Sequence, residues 1–169
     1  MADLTIFGDS WVARMERHSS GQMPSTNYIY QNNLTLEGAM GLIREVPART
    51  AVLVALLGSR DLDVPGSTME QWRDRAKALI NALKNQCPGA RIVFGQVPLN
   101  MAIRNVPRAH YECMAKRCNR RLERIAPQVL LINNNYMAMG DDFWSNDRAH
   151  PSLRGITKLE VSIVNIYEK

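Results

Sequence analysis

Short apolar segments alternate with amphipathic helical patterns along the whole chain. Five segments are rich in Val, Ile and Leu with little polar alternation, which is typical of parallel strands buried on both faces. They cover residues 4–7, 28–30, 50–57, 90–94 and 129–132. Strands that alternate with helices favour a doubly wound α/β fold with right-handed crossovers. We therefore predict one domain over residues 1–169, a three-layer α/β/α sandwich with a flavodoxin-like five-stranded parallel sheet in the order 2-1-3-4-5.

The helices are predicted from their apolar stripes and capping residues. Ser67 and Glu70 match a capping box, and the apolar stripe behind them extends to Leu83. Two further helices are expected from about residue 108 to 126 and from about residue 152 onward, with a shorter one over residues 38–46. Residues 97–107 and 133–151 lack a periodic pattern, and irregular segments of this length in a compact domain tend to be functional.

Composition narrows the class of protein. The chain has 169 residues, 46% of them hydrophobic and 22% charged, which is typical of a folded globular domain and excludes fibrous or low-complexity chains. No apolar run reaches the ~18 residues of a membrane span, and no basic leader marks a secretory signal. The three cysteines form no CxxC pair, so we expect free, buried or partly buried thiols in a reducing compartment, the cytoplasm or nucleus. The scattered cysteines and histidines make a zinc site improbable.

Candidate chemistry lies where strands end. Ser10 follows the first strand directly, so its hydroxyl can face a cleft at the carboxyl edge of the sheet beside free backbone N–H groups. Asp and Ser at this position are also ordinary helix caps. Asp147 precedes His150 by three residues and can fix the tautomer of an imidazole that takes a serine proton, although His150 could also be a solvated loop residue. Arg60 follows the strongest strand, and strands one and three are neighbours in the predicted order, so Ser10 and Arg60 should flank one crevice.

Four short motifs, in order along the chain, resemble the conserved blocks of the SGNH (GDSL-type) hydrolases. Residues 5–10, Thr-Ile-Phe-Gly-Asp-Ser, look like the nucleophile block, and residues 33–38 resemble the second block. Residues 58–61, Gly-Ser-Arg-Asp, are similar to the Gly-x-Asn-Asp block, and residues 147–150 match Asp-x-x-His. The segment 88–98 and the basic helix after it further resemble the hydrolase domain of animal non-LTR retroelements, which would make the chain one domain of a longer protein that binds nucleic acid.

The resemblance implies a serine esterase that acts on small or lipid-like acyl esters such as acetyl esters, without metal or organic cofactor. It implies that Ser10 is the nucleophile, His150 the base and Asp147 the residue that orients the imidazole. It also implies an oxyanion hole with the backbone N–H groups of Ser10 and Gly38, Gly41 being a second match. The family's oxyanion asparagine is replaced by Arg60, whose guanidinium could donate to the oxyanion, grip an anionic group or turn to solvent. We expect Asp61 to be structural, tying down its own loop.

Two groups of residues, one apolar and one basic, each allow two interpretations. Met101, Ile103, Tyr136, Met137, Met139, Phe143 and Trp144 could form an acyl-binding wall or ordinary core. A basic helix face could be a solvated surface or could contact a phosphate backbone or an anionic membrane. This face consists of Lys116, Arg117, Arg120, Arg121 and Arg124. The alternative function is therefore a catalytically weak or inactive module of the same fold that binds RNA or a protein partner.

Overall fold

The fold is built on a five-stranded parallel sheet. The computed structural model describes residues 3–99, 101–133 and 137–169, without the side chains of residues 137–139. The strand order is β2-β1-β3-β4-β5, and all four pairings are parallel. The predicted fold class and strand order are confirmed. The strands are β1 Leu4–Gly8, β2 Thr26–Tyr30, β3 Val52–Leu56, β4 Arg91–Gly95 and β5 Gln128–Leu130.

Helices cover both faces of the sheet. The α-helices are α1 Ser10–Arg17, α2 Leu36–Ala39, α3 Ser59–Leu62, α4 Met69–Gln86, α5 Arg108–Ile125 and α6 Leu153–Glu168. Two 3₁₀ segments, Met40–Glu45 and Met137–Asp142, complete the regular structure of the described residues. The short helix predicted over residues 38–46 is thus α2 and a 3₁₀ turn, and it begins two residues earlier because Thr35 caps it.

The capping box of α4 lies one residue later than predicted. The Thr68 hydroxyl accepts from the Gln71 N–H at 3.2 Å, and the Gln71 side chain accepts from the Thr68 N–H at 3.3 Å. Ser67 instead closes a turn by donating its N–H to Val64. Both residue pairs, 67/70 and 68/71, fit the sequence pattern, so the register of the cap is decided by the preceding turn.

Two apolar cores lie on opposite faces of the sheet. Successive side chains of a strand point to opposite faces, so in β1 Leu4 and Ile6 enter one core and Phe7 enters the other. The larger core packs α2, α4 and α5 against the sheet, and the smaller packs α1 and α6. Cys87 and Cys118 are buried as expected, whereas Cys113 is exposed, and all three thiols are free.

Close packing at the end of β1 places the first residue of α1 at the edge of the sheet. A Cβ on Gly8 would lie 2.0 Å from the Leu56 carbonyl oxygen, so only glycine allows β1 to run this close to β3. The chain therefore passes from Gly8 into α1 within two residues. Within the described ranges, no helix has the length and apolar character that a membrane crossing requires.

Candidate active site

Ser10 is the first residue of α1 and is held there by the cap of that helix. The Asp9 carboxylate accepts the Trp11 N–H at 3.0 Å, and the Asp9 N–H donates to the Leu56 carbonyl at 3.1 Å. Both bonds fix the turn between β1 and α1, so the Ser10 hydroxyl leaves the sheet at its carboxyl edge. Burial raises the pKa of Asp9 to about 6, although the Trp11 N–H and the nearby His150 and Arg60 charges oppose the rise.

Ser10, His150 and Asp147 form one continuous chain of hydrogen bonds. The Ser10 Oγ lies 2.7 Å from His150 Nε2, and His150 Nδ1 lies 2.8 Å from Asp147 Oδ2. The three residues that the sequence singled out are therefore in contact, although Ser10 and His150 are 140 positions apart. The His150 side chain is 26% exposed, so solvent and small molecules can reach the imidazole.

Asp147 is held as an ionised carboxylate. Desolvation acts to raise its pKa, but hydrogen bonds outweigh it and hold the pKa well below the usual range. Those bonds come from the Ser145 hydroxyl at 2.7 Å, the His150 ring, and the N–H groups of Ala149 and His150. The N–H bonds make residues 147–150 a tight turn, which brings the carboxylate back onto the imidazole.

Side chains of α1 fasten this turn beside the serine. Trp11 Nε1 donates to the Ala149 carbonyl, and Arg14 Nε donates to the Pro151 carbonyl, both at 2.8 Å. The Trp11 ring also packs against Phe143 and Trp144, with 5.9 Å between ring centroids in each pair. The two hydrogen bonds hold the carbonyls on either side of His150, so they fix its distance from Ser10.

The serine lies between two open cavities. One, of about 300 Å³, is lined by Ser10, Trp11, Arg60, Met101 and Ile103 among others, and we call it the serine cavity. The second, of about 390 Å³, is lined by polar side chains including Arg14, Arg17 and Asn32. Ser10, Asn33, Asp147 and His150 line both cavities. Ser10 is thus accessible from both cavities.

The predicted oxyanion residue Gly38 does not lie in this arrangement. Its N–H donates to the Thr35 hydroxyl at 3.0 Å, where it caps α2, and Gly38 is not among the residues lining either cavity. The structure thus engages the Gly38 N–H in the cap of α2 and does not bring Gly38 to the serine. Gly41, the second match, is also an exposed residue that lines neither cavity.

Asn33 lies beside Ser10, where the sequence analysis expected a glycine. It lines both cavities beside Ser10, and its backbone is left-handed, with φ of 61°. Asparagine is one of the few residues other than glycine that tolerate this conformation. The pair Asn32–Asn33, in the turn after β2, was the signal in the sequence for such a backbone, but a search for glycine does not detect it.

Arg60 lies on the wall of the serine cavity. It follows Gly58, whose φ of 118° favours glycine, and a Cβ at Gly58 would also lie 3.2 Å from the Trp72 ring. The Arg60 carbonyl accepts the Asp63 N–H at 3.3 Å, but the exposed Arg60 side chain forms no hydrogen bond or ion pair in the described part of the chain. Its guanidinium is thus free to meet a ligand on the same side as Ser10.

Buried carboxylates connect the loops around the serine cavity. Asp61 accepts the Leu36 N–H with both oxygens at 3.2 Å, so it ties α3 to the start of α2 as well as holding its own loop. Burial raises the pKa of Asp61 to about 6. Asp63 accepts the N–H groups of Arg104 and Asn105, which anchors the loop that carries Met101 and Ile103. The structural interpretation of Asp61 agrees with these contacts.

Some of the apolar loop residues line the serine cavity and others belong to the core. Met101 and Ile103 line the serine cavity, whereas Phe143 is fully buried and Trp144 is 6% exposed, so both are core. Tyr136 lies outside the described residues, as do the side chains of Met137 and Met139. Only the loop after β4 therefore contributes an apolar wall that the structure describes.

The basic face of α5 is exposed as the periodicity predicts. Lys116, Arg117, Arg120, Arg121 and Arg124 all lie on the solvent side of the helix, and Met114, Cys118 and Leu122 are buried beneath. None of the five cations forms an ion pair with an acidic side chain in the described ranges. No group of three or more His, Cys, Asp or Glu within those ranges is arranged to hold a metal ion.

Several solved structures that share this fold are lipolytic hydrolases. A member of the lipolytic G-D-S-L family from Veillonella parvula matches with a TM-score of 0.70 at 14% identity, over 98% of each chain. A lipase/acylhydrolase from Enterococcus faecalis matches with 0.70 at 16% identity over 98% of this chain and 94% of that one. A lipase from a goat rumen metagenome matches with 0.73 at 12% identity, over 98% and 97%.

These similarities show which class of fold the chain has. The chain has the α/β/α sandwich of the lipolytic hydrolases, and in particular the GDSL (SGNH) fold that its motifs indicated. Comparison of the sequence itself finds neither a family profile nor a curated protein that matches.

Proposed function

We propose that the protein is a serine esterase with a Ser10–His150–Asp147 triad. The observation that carries the proposal is the unbroken hydrogen-bond chain from the serine hydroxyl to a carboxylate that stays ionised, at 2.7 and 2.8 Å. A structural role alone would not require a hydroxyl, an imidazole and a carboxylate in this order beside an open cavity. The GDSL fold of the chain supports the same reaction class.

In the first half of the reaction, the Ser10 Oγ attacks the ester carbonyl carbon while its proton moves to His150 Nε2. Asp147 holds the ring with Nε2 free to accept and stabilises the imidazolium that forms. The carbonyl oxygen becomes an oxyanion. When the tetrahedral species collapses, the C–O bond to the alcohol breaks and His150 returns the proton to the leaving alcohol. The acyl group remains on Ser10, and water attacks it by the same sequence to release the carboxylic acid.

The oxyanion is held by the N–H groups of Ser10 and Asn33, with Arg60 as the third donor. Asn33 takes the place first assigned to Gly38, since its left-handed backbone lies beside the hydroxyl. Arg60 is a permanent cation, so it stabilises developing negative charge more strongly than a neutral amide but is less constrained in position.

The acyl group is short. The serine cavity, at about 300 Å³, is at the lower end of the ~300–1,000 Å³ found for small-molecule sites. Met101, Ile103 and Trp11 give it an apolar wall that suits an acetyl or similar group, while Arg60 and Arg104 make its rim polar. Small acyl esters, including those of lipid-like alcohols, are the proposed substrates.

Labelling with a fluorophosphonate probe and hydrolysis of p-nitrophenyl acetate test the proposal together. The wild-type chain should be labelled and should hydrolyse the ester, while Ser10→Ala, which removes only an oxygen from a half-buried position, should fold normally and do neither. Ser67→Ala is a matched control, because Ser67 is also half-buried, its hydroxyl forms no hydrogen bond within the described ranges, and it lines neither cavity. Equal labelling and equal hydrolysis in wild type and Ser10→Ala would refute the assignment.

The remaining sequence-based interpretations stay predictions. They are the single domain over residues 1–169, the cytoplasmic or nuclear location and the origin in a retroelement protein. None of them alters the chemistry proposed for Ser10.

A further inference from the structure

Four arginines of α5 line a common hollow away from Ser10. They are Arg117, Arg120, Arg121 and Arg124, spaced i, i+3, i+4 and i+7, so they share one helix face. The hollow has a volume of about 190 Å³, and Met69 at the start of α4 forms its floor. We call it the arginine hollow. None of its residues lines the serine cavity.

The positive charge in the arginine hollow is not balanced by the protein. None of the ion pairs found in the described ranges includes one of its four arginines. The acidic Glu112 on the same helix pairs with Arg108 instead, and Glu123, also on α5, forms no ion pair with the four. Like charges at i, i+3 and i+4 repel each other, so the unpaired cluster lowers helix stability unless an anion occupies it.

The chemistry of the four side chains favours phosphate as that anion. A guanidinium offers a planar fork of donors that binds phosphate oxygens in pairs, which lysine does not. Seven helical residues rise by ~10 Å, so the row from Arg117 to Arg124 can meet successive phosphates of a chain.

The surroundings of the arginine hollow favour a nucleic acid over a membrane. Membrane-surface helices place exposed apolar side chains beside their cations. Here the only apolar lining residue, Met69, is 6% exposed, and none of the exposed large apolar side chains in the described ranges lines the hollow.

We propose that the arginine hollow binds the phosphate backbone of a nucleic acid strand, at a site separate from the serine cavity. Because the contacts are guanidinium to phosphate, binding does not depend on base sequence. It adds a second function to the domain and holds whether or not Ser10 is catalytic.

The test measures binding of a fluorescein-labelled uridine 12-mer by fluorescence anisotropy at 50 and 200 mM salt. For a single strand, log K changes by about −0.7 per log unit of salt for each phosphate neutralised, so four contacts predict a loss of about 50-fold over this range. Arg120→Gln/Arg121→Gln leaves two contacts and should reduce that loss to about 7-fold, with weaker binding at both salts. Circular dichroism verifies that each variant folds.

A matched control is Arg73→Gln/Arg75→Gln on α4. This control also removes two positive charges, but Arg73 and Arg75 form ion pairs with Asp74 and Glu37. The proposal requires that this control keep the binding and the salt dependence of the wild type.

Three results would overturn the proposal. The 12-mer could fail to bind at 50 mM salt, or both double variants could weaken binding equally, which would mean that net charge alone is responsible. Alternatively, vesicles with phosphatidylserine could bind through Arg120 and Arg121 while the RNA does not, which would assign the arginine hollow to a membrane surface.

Discussion

Asp61 gives the fold a pH dependence whose size follows from its burial. Its carboxylate is only 6% exposed, and burial raises the pKa from 3.8 to about 6. The folded state therefore holds the Asp61 proton more tightly than the unfolded chain does. Stability from this group is fully present below pH 3.8 and is lost as the pH rises through about 6. At ~1.4 kcal/mol per pKa unit, the whole loss is about 3 kcal/mol.

Asp61→Asn removes the charge while its amide oxygen can still accept the Leu36 N–H. At pH 4.5 the wild type has already lost about 1 kcal/mol of the Asp61 contribution, and at pH 7.5 it has lost all of it. The free energy of unfolding of the variant, relative to wild type, should therefore increase by about 2 kcal/mol between pH 4.5 and 7.5.

Urea unfolding followed by tryptophan fluorescence at the two pH values measures this difference. Asp74→Asn controls for net charge, because it removes a carboxylate that is 67% exposed. The reasoning about Asp61 fails if its variant gains nothing between pH 4.5 and 7.5, or if Asp74→Asn gains equally.

Two further predictions concern the oxyanion donors, both measured with p-nitrophenyl acetate. Arg60→Ala should lower kcat/KM by ~10²-fold because one donor is lost, and Arg60→Asn should restore most of it; an unchanged rate in Arg60→Ala would place that guanidinium outside the reaction. Gly38→Ala should keep the activity within about twofold, because Gly38 lines neither cavity, whereas Asn33→Val forces a β-branched residue into left-handed backbone and should abolish activity. The opposite ranking of these two variants would return the oxyanion role to Gly38.

Much of the fold follows from local patterns. Continuous apolar segments mark buried parallel strands, and the alternation with helices restricts the topology to few orders. The contact of Ser10 with His150 could be predicted because Ser10 follows the end of a strand and residues 147–150 match a short motif. The observed strand ends and caps differ from the predicted ones by one or two residues because neighbouring residues fit the same pattern. The cap of α4 at Thr68 instead of Ser67 is an example.

The donors around the serine could not be predicted as well. A glycine motif in the sequence indicates Gly38. The residue with a left-handed backbone beside the serine is Asn33, and the sequence does not give that conformation. Likewise, periodicity shows that the arginines of α5 share a face, but whether acidic partners from α4 neutralise them depends on how two helices pack. Such information is tertiary and appears only when distant segments are assembled.

The bonds from Trp11 and Arg14 to the carbonyls flanking His150 have a consequence for biosynthesis. The Ser10 hydroxyl is synthesised 140 codons before the His150 imidazole, and the bonds that bring them together cannot form until both segments exist. A nascent chain thus carries an inert serine until nearly all of its core has been assembled. Turnover of an ester would report that these two distant segments have met, and would serve as a readout of domain folding on the ribosome.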